Sequence, residues 1–392
     1  MSTSRIVVVS QLPPPVHGST VMTAVFMGSM DRLGVEASLV DRRFSADLGQ
    51  VGHASFGKLV RAIGLFSRLR QAAKVKRPDY GVVFVTNRPG SFLVDCAVVA
   101  ILRMYRVPII HYVHTTGFSK LASRGHAWKQ LVRAVLSSAD TVVTLGPSLA
   151  DDIAQWVKPA QMCFIQNIPH MAPSSISPAN QGGPIIFLSN LIREKGADTF
   201  VQAASILAAK VDHQFVIAGG EPDDEFSKEL RALVDALSLG SRVRFLGHLD
   251  SNSKWQLLRD CAMLVFPSRY PFEAQPLTLV EARHVGVPTV ATDVGGIRDL
   301  VDESGWLTLD PIGTSESIAQ AVLAKLSESP PRYRTGDNGR QWTSVYDQAW
   351  LSVLTNEPGD GSKCRSDHQV AGRTTCTERV KDVDEDQRGG KL

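Results

Sequence analysis

Residues 266–299 read F-P-S-R-Y-P-F-E-A-Q-P-L-T-L-V-E-A-R-H-V-G-V-P-T-V-A-T-D-V-G-G-I-R-D. An apolar run, A-M-L-V-F at 262–266, leads into them; it has the length of a buried strand and is halted by Pro267 and Ser268. A loop carrying Glu273 follows. Pro276 suits the first turn of a helix, where its missing N–H would have had no partner anyway. That helix is predicted over 277–284, stopping near Gly286, with a second strand over 288–291 and a turn at Asp293-Val294-Gly295-Gly296. Glu273 lies on the loop and Glu281 inside the helix. Both can face a ligand held at the helix N-terminus, where free N–H groups and the helix dipole favour an anion.

The same strand-and-helix repeat extends outward from this stretch. Strands are expected at 184–188, 214–218 and 243–246, with helices at 197–210, 225–239 and 253–260. A strand at 305–308 and a helix at 315–327 complete the series, and an amphipathic segment follows at 340–354. Alternation of this kind implies a parallel sheet with right-handed crossovers. The first half has its own series, with strands at 5–10, 36–40, 80–86, 107–114 and 141–145, the last expected to end that half, and a helical pattern at 57–76. The first strand runs into Q-L-P-P-P-V-H-G-S-T, a stiff loop in which Gly18 would let backbone approach a ligand and Ser19 or Thr20 would cap the next helix. No G-x-G-x-x-G is present, so a dinucleotide cofactor is not indicated. Ligands of open α/β sheets sit beyond the carboxyl ends of strands, which singles out His114; His111 lies earlier in the same strand. Residues 159–183 are rich in Pro, Ser, Asn and Gly and read as a linker region; residues from 356 onward are polar and charged and read as a disordered tail.

Composition agrees with two folded domains. The chain has 392 residues, of which 43% are hydrophobic and 21% charged. Its five cysteines are scattered and form no C-x-x-C pair, which argues for reduced thiols, a cytoplasmic setting and no zinc site. The N-terminal apolar run is too short for a signal peptide, and no run of about 18 apolar residues suggests a membrane span. Residues 1–178 hold 19 Lys and Arg against 9 Asp and Glu, and residues 179–392 hold 23 against 30, so a basic half precedes an acidic one. Residues 48–78 contain no acid, and from Lys58 to Arg77 seven cations alternate with Leu59, Val60, Ile63, Leu65, Phe66 and Leu69. A basic amphipathic helix of this kind is expected to bind an anionic membrane surface, holding the protein peripherally on the inner face of the cell membrane. No nucleic-acid partner is expected.

Glu273-x7-Glu281, followed by A-R-H-V-G-V-P-T-V-A-T-D-V-G-G with Gly286, Pro288, Gly295 and Gly296 in order, resembles the signature of the family-4 retaining glycosyltransferases. These are similar to glycogen synthase and have the GT-B fold, two Rossmann-like domains facing across a cleft. The resemblance implies an α/β GT-B protein with an N-terminal acceptor domain over 1–170, a linker over 171–183, a donor-nucleotide domain over 184–330 and a helix over 331–355 crossing back to the first domain. It implies transfer of a sugar from a nucleoside-diphosphate sugar to a glycan or lipid-linked acceptor in polysaccharide or glycolipid biosynthesis, without cofactor or metal. S-N-L-I-R-E-K-G-A-D at 189–198 resembles the family's G-R-L-x-x-E-K-G, which puts its lysine on Lys195, where an ammonium would neutralise the leaving diphosphate. The family's arginine falls on Asn190, and Arg193 is the nearby cation that would compensate. Glu273 matches the residue near the donor sugar, His114 a histidine close to the donor sugar or acceptor, and Glu281 the residue that holds the ribose hydroxyls. The amides of Leu277 and Thr278 would face the diphosphate. Gly219, Gly220 and Leu246 match positions around the nucleotide, and Gly18 falls in a loop that lies near the donor diphosphate or the acceptor. Pro276 stands where many members have glycine. Two other readings stay open: a non-catalytic sugar-nucleotide-binding partner of a glycan assembly complex, and a GT-B epimerase or phosphorylase.

Overall fold

β-branched runs alternating with apolar-faced helices build two parallel sheets of six strands each. The computed structural model describes residues 4–14, 16–42, 56–170, 180–328 and 339–355. Most of the expected linker (171–179), the expected tail (356–392), and the side chains of Leu59 and Val60 lie outside the described residues.

The first sheet comprises β1 (Arg5–Ser10), β2 (Glu36–Asp41), β3 (Tyr80–Val85), β4 (Ile109–Val113), β5 (Thr141–Thr144) and β6 (Met162–Phe164), in the order β2-β1-β3-β4-β5-β6. The second comprises β7 (Ile185–Leu188), β8 (Phe215–Ala218), β9 (Val243–Gly247), β10 (Met263–Phe266), β11 (Thr289–Thr292) and β12 (Leu307–Asp310), in the order β12-β11-β10-β7-β8-β9. In each sheet the chain starts in the middle and winds both ways, so strand order reverses between β1 and β3 and between β7 and β10. A crevice opens at the carboxyl ends of the strands at such a point. The expectation that 141–145 ends the first sheet is corrected: β6 pairs beyond it, Val143 opposite Cys163. Only three residues long, and set in a stretch rich in Pro, Asn and Gln, β6 carries too little pattern to be read as a strand.

Around the first sheet lie α1 (Gly18–Arg32), α2 (Phe56–Gln71), α3 (Pro89–Met104), α4 (Phe118–Ala122), α5 (His126–Leu136) and α6 (Pro147–Ile153). Around the second lie α7 (Ala197–Ala208), α8 (Asp224–Ala236), α9 (Ser251–Asp260), α10 (Leu277–Val285) and α11 (Ser315–Ser327). Helix α12 (Gly339–Thr355) follows them in sequence. Side chains of a strand alternate between faces. Val7 and Val9 pack with Leu65 and Leu69 of α2 and Phe92 and Leu102 of α3; Ile6 and Val8 pack on the opposite face with Met22 and Phe26 of α1. α12 joins that second face although it comes after the second sheet. Trp350 is fully buried, its ring 4.6 Å from Phe26 and 4.9 Å from Tyr112, and Asp347 accepts from Ser29 at 2.6 Å and Arg32 at 2.7 Å. The second sheet is covered in the same way, by α7, α8 and α11 on one face and α9 and α10 on the other.

The start of α1 differs from expectation. His17, rather than Ser19 or Thr20, is the N-cap, and Thr20 closes a capping box back to the His17 N–H at 3.1 Å. An imidazole nitrogen is an acceptor like a hydroxyl, so a histidine takes the place that a serine or threonine usually fills.

Candidate active site

The reversal point of the second sheet lies between β7 and β10, and the loops leaving these strands carry the first cluster. After β7, a single 3-10 turn, Arg193–Lys195, presents Lys195. After β10, the loop presents Glu273, which is 5% exposed. The Lys195 ammonium forms an ion pair with Glu273 Oε1, and the Ser268 hydroxyl donates to the same oxygen at 2.8 Å. The ammonium also stands 5.5 Å from the Phe266 ring and 5.2 Å from the Tyr270 ring, so aromatic faces back the cation. Two features bring the loops together. Gly196 has φ +80, and a Cβ there would lie 2.0 Å from the Pro267 carbonyl oxygen, so only glycine fits. Arg269 donates to the Arg193 carbonyl at 2.9 Å and pairs with Asp198 at 2.9 Å.

Helix α10 leaves the same loop. It begins at Leu277 and is C-capped by Gly286 at φ +82, close to the predicted bounds. Pro276 is the N-cap rather than a first-turn residue, and no side chain caps the helix. The Leu277 and Thr278 amides therefore lie at an N-terminus left open to an anion. Behind it, the Gly295-Gly296 turn supports Glu273: the Gly296 N–H donates to the Glu273 carbonyl at 3.1 Å, and a Cβ on Gly295 would fall 2.1 Å from that oxygen. Glu281, one turn into α10, is 3% exposed and ion-paired with Lys254 of α9. Burial holds its pKa above the usual carboxylate value, and the Lys254 charge opposes that rise.

The remaining residues of this half divide. Asn190, Gly219 and Gly220 follow β7 and β8 side by side; the Leu191 N–H donates to the Gly220 carbonyl at 2.8 Å and Gly219 to Gly247 at 2.8 Å. Leu246 in β9 is 37% exposed. Arg193 does not join Lys195. It pairs with Glu229 at 2.8 Å and lies 4.8 Å from the Phe226 ring, on the surface.

In the first half, Gly18 opens α1 with free space where a Cβ would stand. Burial and the charge of Arg88 lower the pKa of neighbouring His17. His114 follows β4. Its ring stacks on Phe84 at 5.4 Å and meets Tyr112 edge-on at 4.0 Å, its Nε2 is buried with no hydrogen-bond partner among the described residues, and burial pushes its pKa down to about 3. It is a neutral imidazole at physiological pH. His111 is structural: fully buried inside β4, it bonds the Val135 carbonyl at 2.9 Å.

The carboxyl ends of the two sheets face each other. Thr116, after β4, donates to the Pro271 carbonyl at 3.3 Å, and the Gly117 backbone abuts Phe272. Asn167, after β6, donates its backbone N–H to the Gln275 side-chain oxygen at 2.5 Å and its side-chain amide to the Gln275 carbonyl at 3.0 Å, and Ser148 at the start of α6 bonds Asp299 through its N–H and hydroxyl at 3.0 and 2.8 Å. His114 and Gly18 thus belong to one side of the crevice, and Lys195, Glu273 and Glu281 to the other. Sequence reasoning missed Lys254, Ser268, Asn167 and Gln275. Ser268 sits in the quoted stretch and could have been found there; Lys254 carries no local signal, because it is one polar residue on a surface helix.

Two parallel α/β units with facing carboxyl edges, and a last helix returned to the first, define the GT-B class. Residues 18–167 match the model of the glycosyl transferase 4-like domain and residues 176–342 that of the glycosyl transferases group 1. The chain belongs to the group 1 glycosyltransferases. It is 26% identical over 254 residues to the N-acetyl-alpha-D-glucosaminyl L-malate synthase of Bacillus anthracis, covering 62% of this chain and 64% of that one, so it spans less than two thirds of that relative's length. Its fold is similar to that of sucrose-phosphate synthase from Thermosynechococcus elongatus, with TM-score 0.64, 18% identity, and 90% and 96% of the two chains covered. It is similar also to Anabaena HepE in complex with UDP, with TM-score 0.62, 16% identity, and 97% and 100% covered.

Proposed function

We propose that this chain is a retaining glycosyltransferase that moves a sugar from a nucleoside-diphosphate sugar to a glycan or lipid-linked acceptor in polysaccharide or glycolipid biosynthesis. The observation that carries the reading is the Lys195–Glu273–Ser268 cluster at the reversal point of the second sheet, beside the uncapped start of α10. A fixed cation and helix amides at one spot stabilise a leaving diphosphate. Glu281, one turn further on, would accept from the paired ribose hydroxyls. The UDP carried by Anabaena HepE supports a nucleotide in this crevice. Transfer would break the bond from the anomeric carbon to the diphosphate oxygen and form one to the acceptor oxygen on the same face. The electron pair leaves with the diphosphate, which then takes the acceptor's proton. Glu273 would stabilise positive charge on the sugar, and neutral His114 would hold a sugar hydroxyl from the opposite wall.

Thermal-shift measurements against UDP, GDP, ADP and their sugars test the nucleotide reading. Slow release of nucleoside diphosphate from the sugar nucleotide without acceptor, and a product that keeps the anomeric configuration, are expected. Binding without any release over long incubation would favour the non-catalytic partner instead.

The reading extends to a membrane-held enzyme in the cytoplasm. Leu65, Leu69 and Ala73 are buried in the core, whereas Ile63 at 60% and Val75 at 72% exposed face outward among exposed Arg61, Arg70 and Lys74. Each Lys or Arg near an anionic surface contributes on the order of 1 kcal/mol. Cosedimentation with anionic liposomes is expected at low salt and should fall steeply as salt rises. Replacing Arg61, Arg70 and Lys74 with Ser should abolish it and leave nucleotide affinity intact. No cosedimentation at low salt would point to a soluble acceptor.

A further inference from the structure

The ion pair between α9 and α10 is buried on one side only. Glu281 is 3% exposed and Lys254 28% exposed, its ammonium 5.6 Å from the Trp255 ring. A carboxylate this deep is stable as an ion only while its counter-charge stays, because removing one partner of a buried pair leaves the other uncompensated. If the ammonium left Glu281 for a ligand phosphate, it would strand that charge. Lys254 is therefore committed to Glu281.

We propose that Lys254 is a positioning residue for the donor nucleotide: its ammonium keeps the Glu281 carboxylate ionised and aligned to accept from a ligand's paired hydroxyls, without itself touching the phosphates. The inference rests on the donor-site reading above. Without Lys254, burial acts on Glu281 unopposed and favours the protonated acid, which has one acceptor fewer for two hydroxyls. His170 lies beside Lys254, whose charge, after burial, lowers the His170 pKa. His284, one turn along α10, meets Trp255 edge-on at 5.9 Å. Arg283 is paired with Asp302 at 2.6 Å.

Calorimetric titration of UDP, GDP and ADP into the full chain tests this at pH 6 and pH 9. Lys254→Met should weaken nucleotide binding about tenfold at pH 6, the size of one charge-assisted hydrogen bond, with the gap narrowing at pH 9 as Glu281 ionises unaided. Lys254→Arg should bind as wild type. In a Glu281→Gln background, Lys254→Met should cost nothing further. A loss from Lys254→Met that is equal at both pH values and undiminished in the Glu281→Gln background would mean direct phosphate contact and overturn the inference. Weakened binding by Glu281→Ala with none by Lys254→Met would overturn it too. Wild-type affinity in Glu281→Ala, or no binding of any of the three nucleotides by the wild type, would instead bring down the donor-site reading.

Discussion

Two glutamates with seven residues between them, in one loop and helix, have different electrical surroundings. Glu273 is held by Lys195 and Ser268, and Glu281 by Lys254 of α9. Their substitutions should separate accordingly. Glu281→Ala is expected to weaken nucleoside-diphosphate binding by about 1.5–3 kcal/mol, the usual value of a charge-assisted hydrogen bond, and Glu273→Ala chiefly to lower kcat. Unchanged affinity and turnover in both variants would refute the assignment. Glu281 should also carry a folding cost. Its folded pKa lies above the unfolded value, so from that ordinary value upward the folded state binds the proton more tightly, and stability falls as pH rises through the window. At neutral pH Glu281→Gln should therefore raise Tm while weakening nucleotide binding, a trade that differential scanning calorimetry and titration measure together.

Among the elements, the Gly295-Gly296 turn bears most directly on the site, because its backbone is the floor under Glu273. A Cβ on Gly296 would stand 2.2 Å from the Ala274 carbonyl oxygen and 2.5 Å from Leu149. Neither backbone nor buried leucine yields without moving the loop. Gly296→Ala is expected to destabilise the protein by about 1–3 kcal/mol, the range for overpacking a close contact, and to reduce turnover more than nucleotide affinity, since α10 begins after the displaced segment. Urea denaturation and steady-state kinetics check both parts, and wild-type kinetics in this variant would show that the turn does not position Glu273.

At the scale of the molecule, burial of imidazoles sets the acid limit. His111, at the centre of the first sheet, has its pKa lowered to about 4 by burial, from an ordinary value of 6.5. As pH falls through 6.5 the unfolded chain takes up a proton that the folded chain refuses, so stability is full above that value and is lost as pH falls toward 4. The slope is at most about 1.4 kcal/mol per pH unit for one such group. His111→Gln keeps an amide to bond the Val135 carbonyl and cannot titrate, so its stability between pH 6.5 and pH 4 should fall less steeply than the wild type's. Identical slopes in urea titrations would mean that other groups govern the acid transition.

Local pattern was enough for the repeating strands and helices, for the loop and helix around Glu273 and Glu281, and for Lys195. Each depends on properties of neighbouring residues: β-branched runs, proline and glycine as stops, a short motif in order. β6 was not legible, since a three-residue strand is made by its partner β5 rather than by its own composition. Arg193 is the cation beside Lys195 in sequence, and only the fold shows that it pairs with Glu229, because a side chain's direction follows from what packs beside it. Lys254 and Glu281 are 27 residues apart, and Asn167 and Gln275 108, each pair on different elements. Which residues meet across two helices, or across two sheets, depends on crossing geometry and on the close approach of backbones at glycines. The sequence by itself thus determined the repeating α/β pattern and most candidate residues; tertiary packing alone decided their electrostatic partners, Lys195 for Glu273 and Lys254 for Glu281.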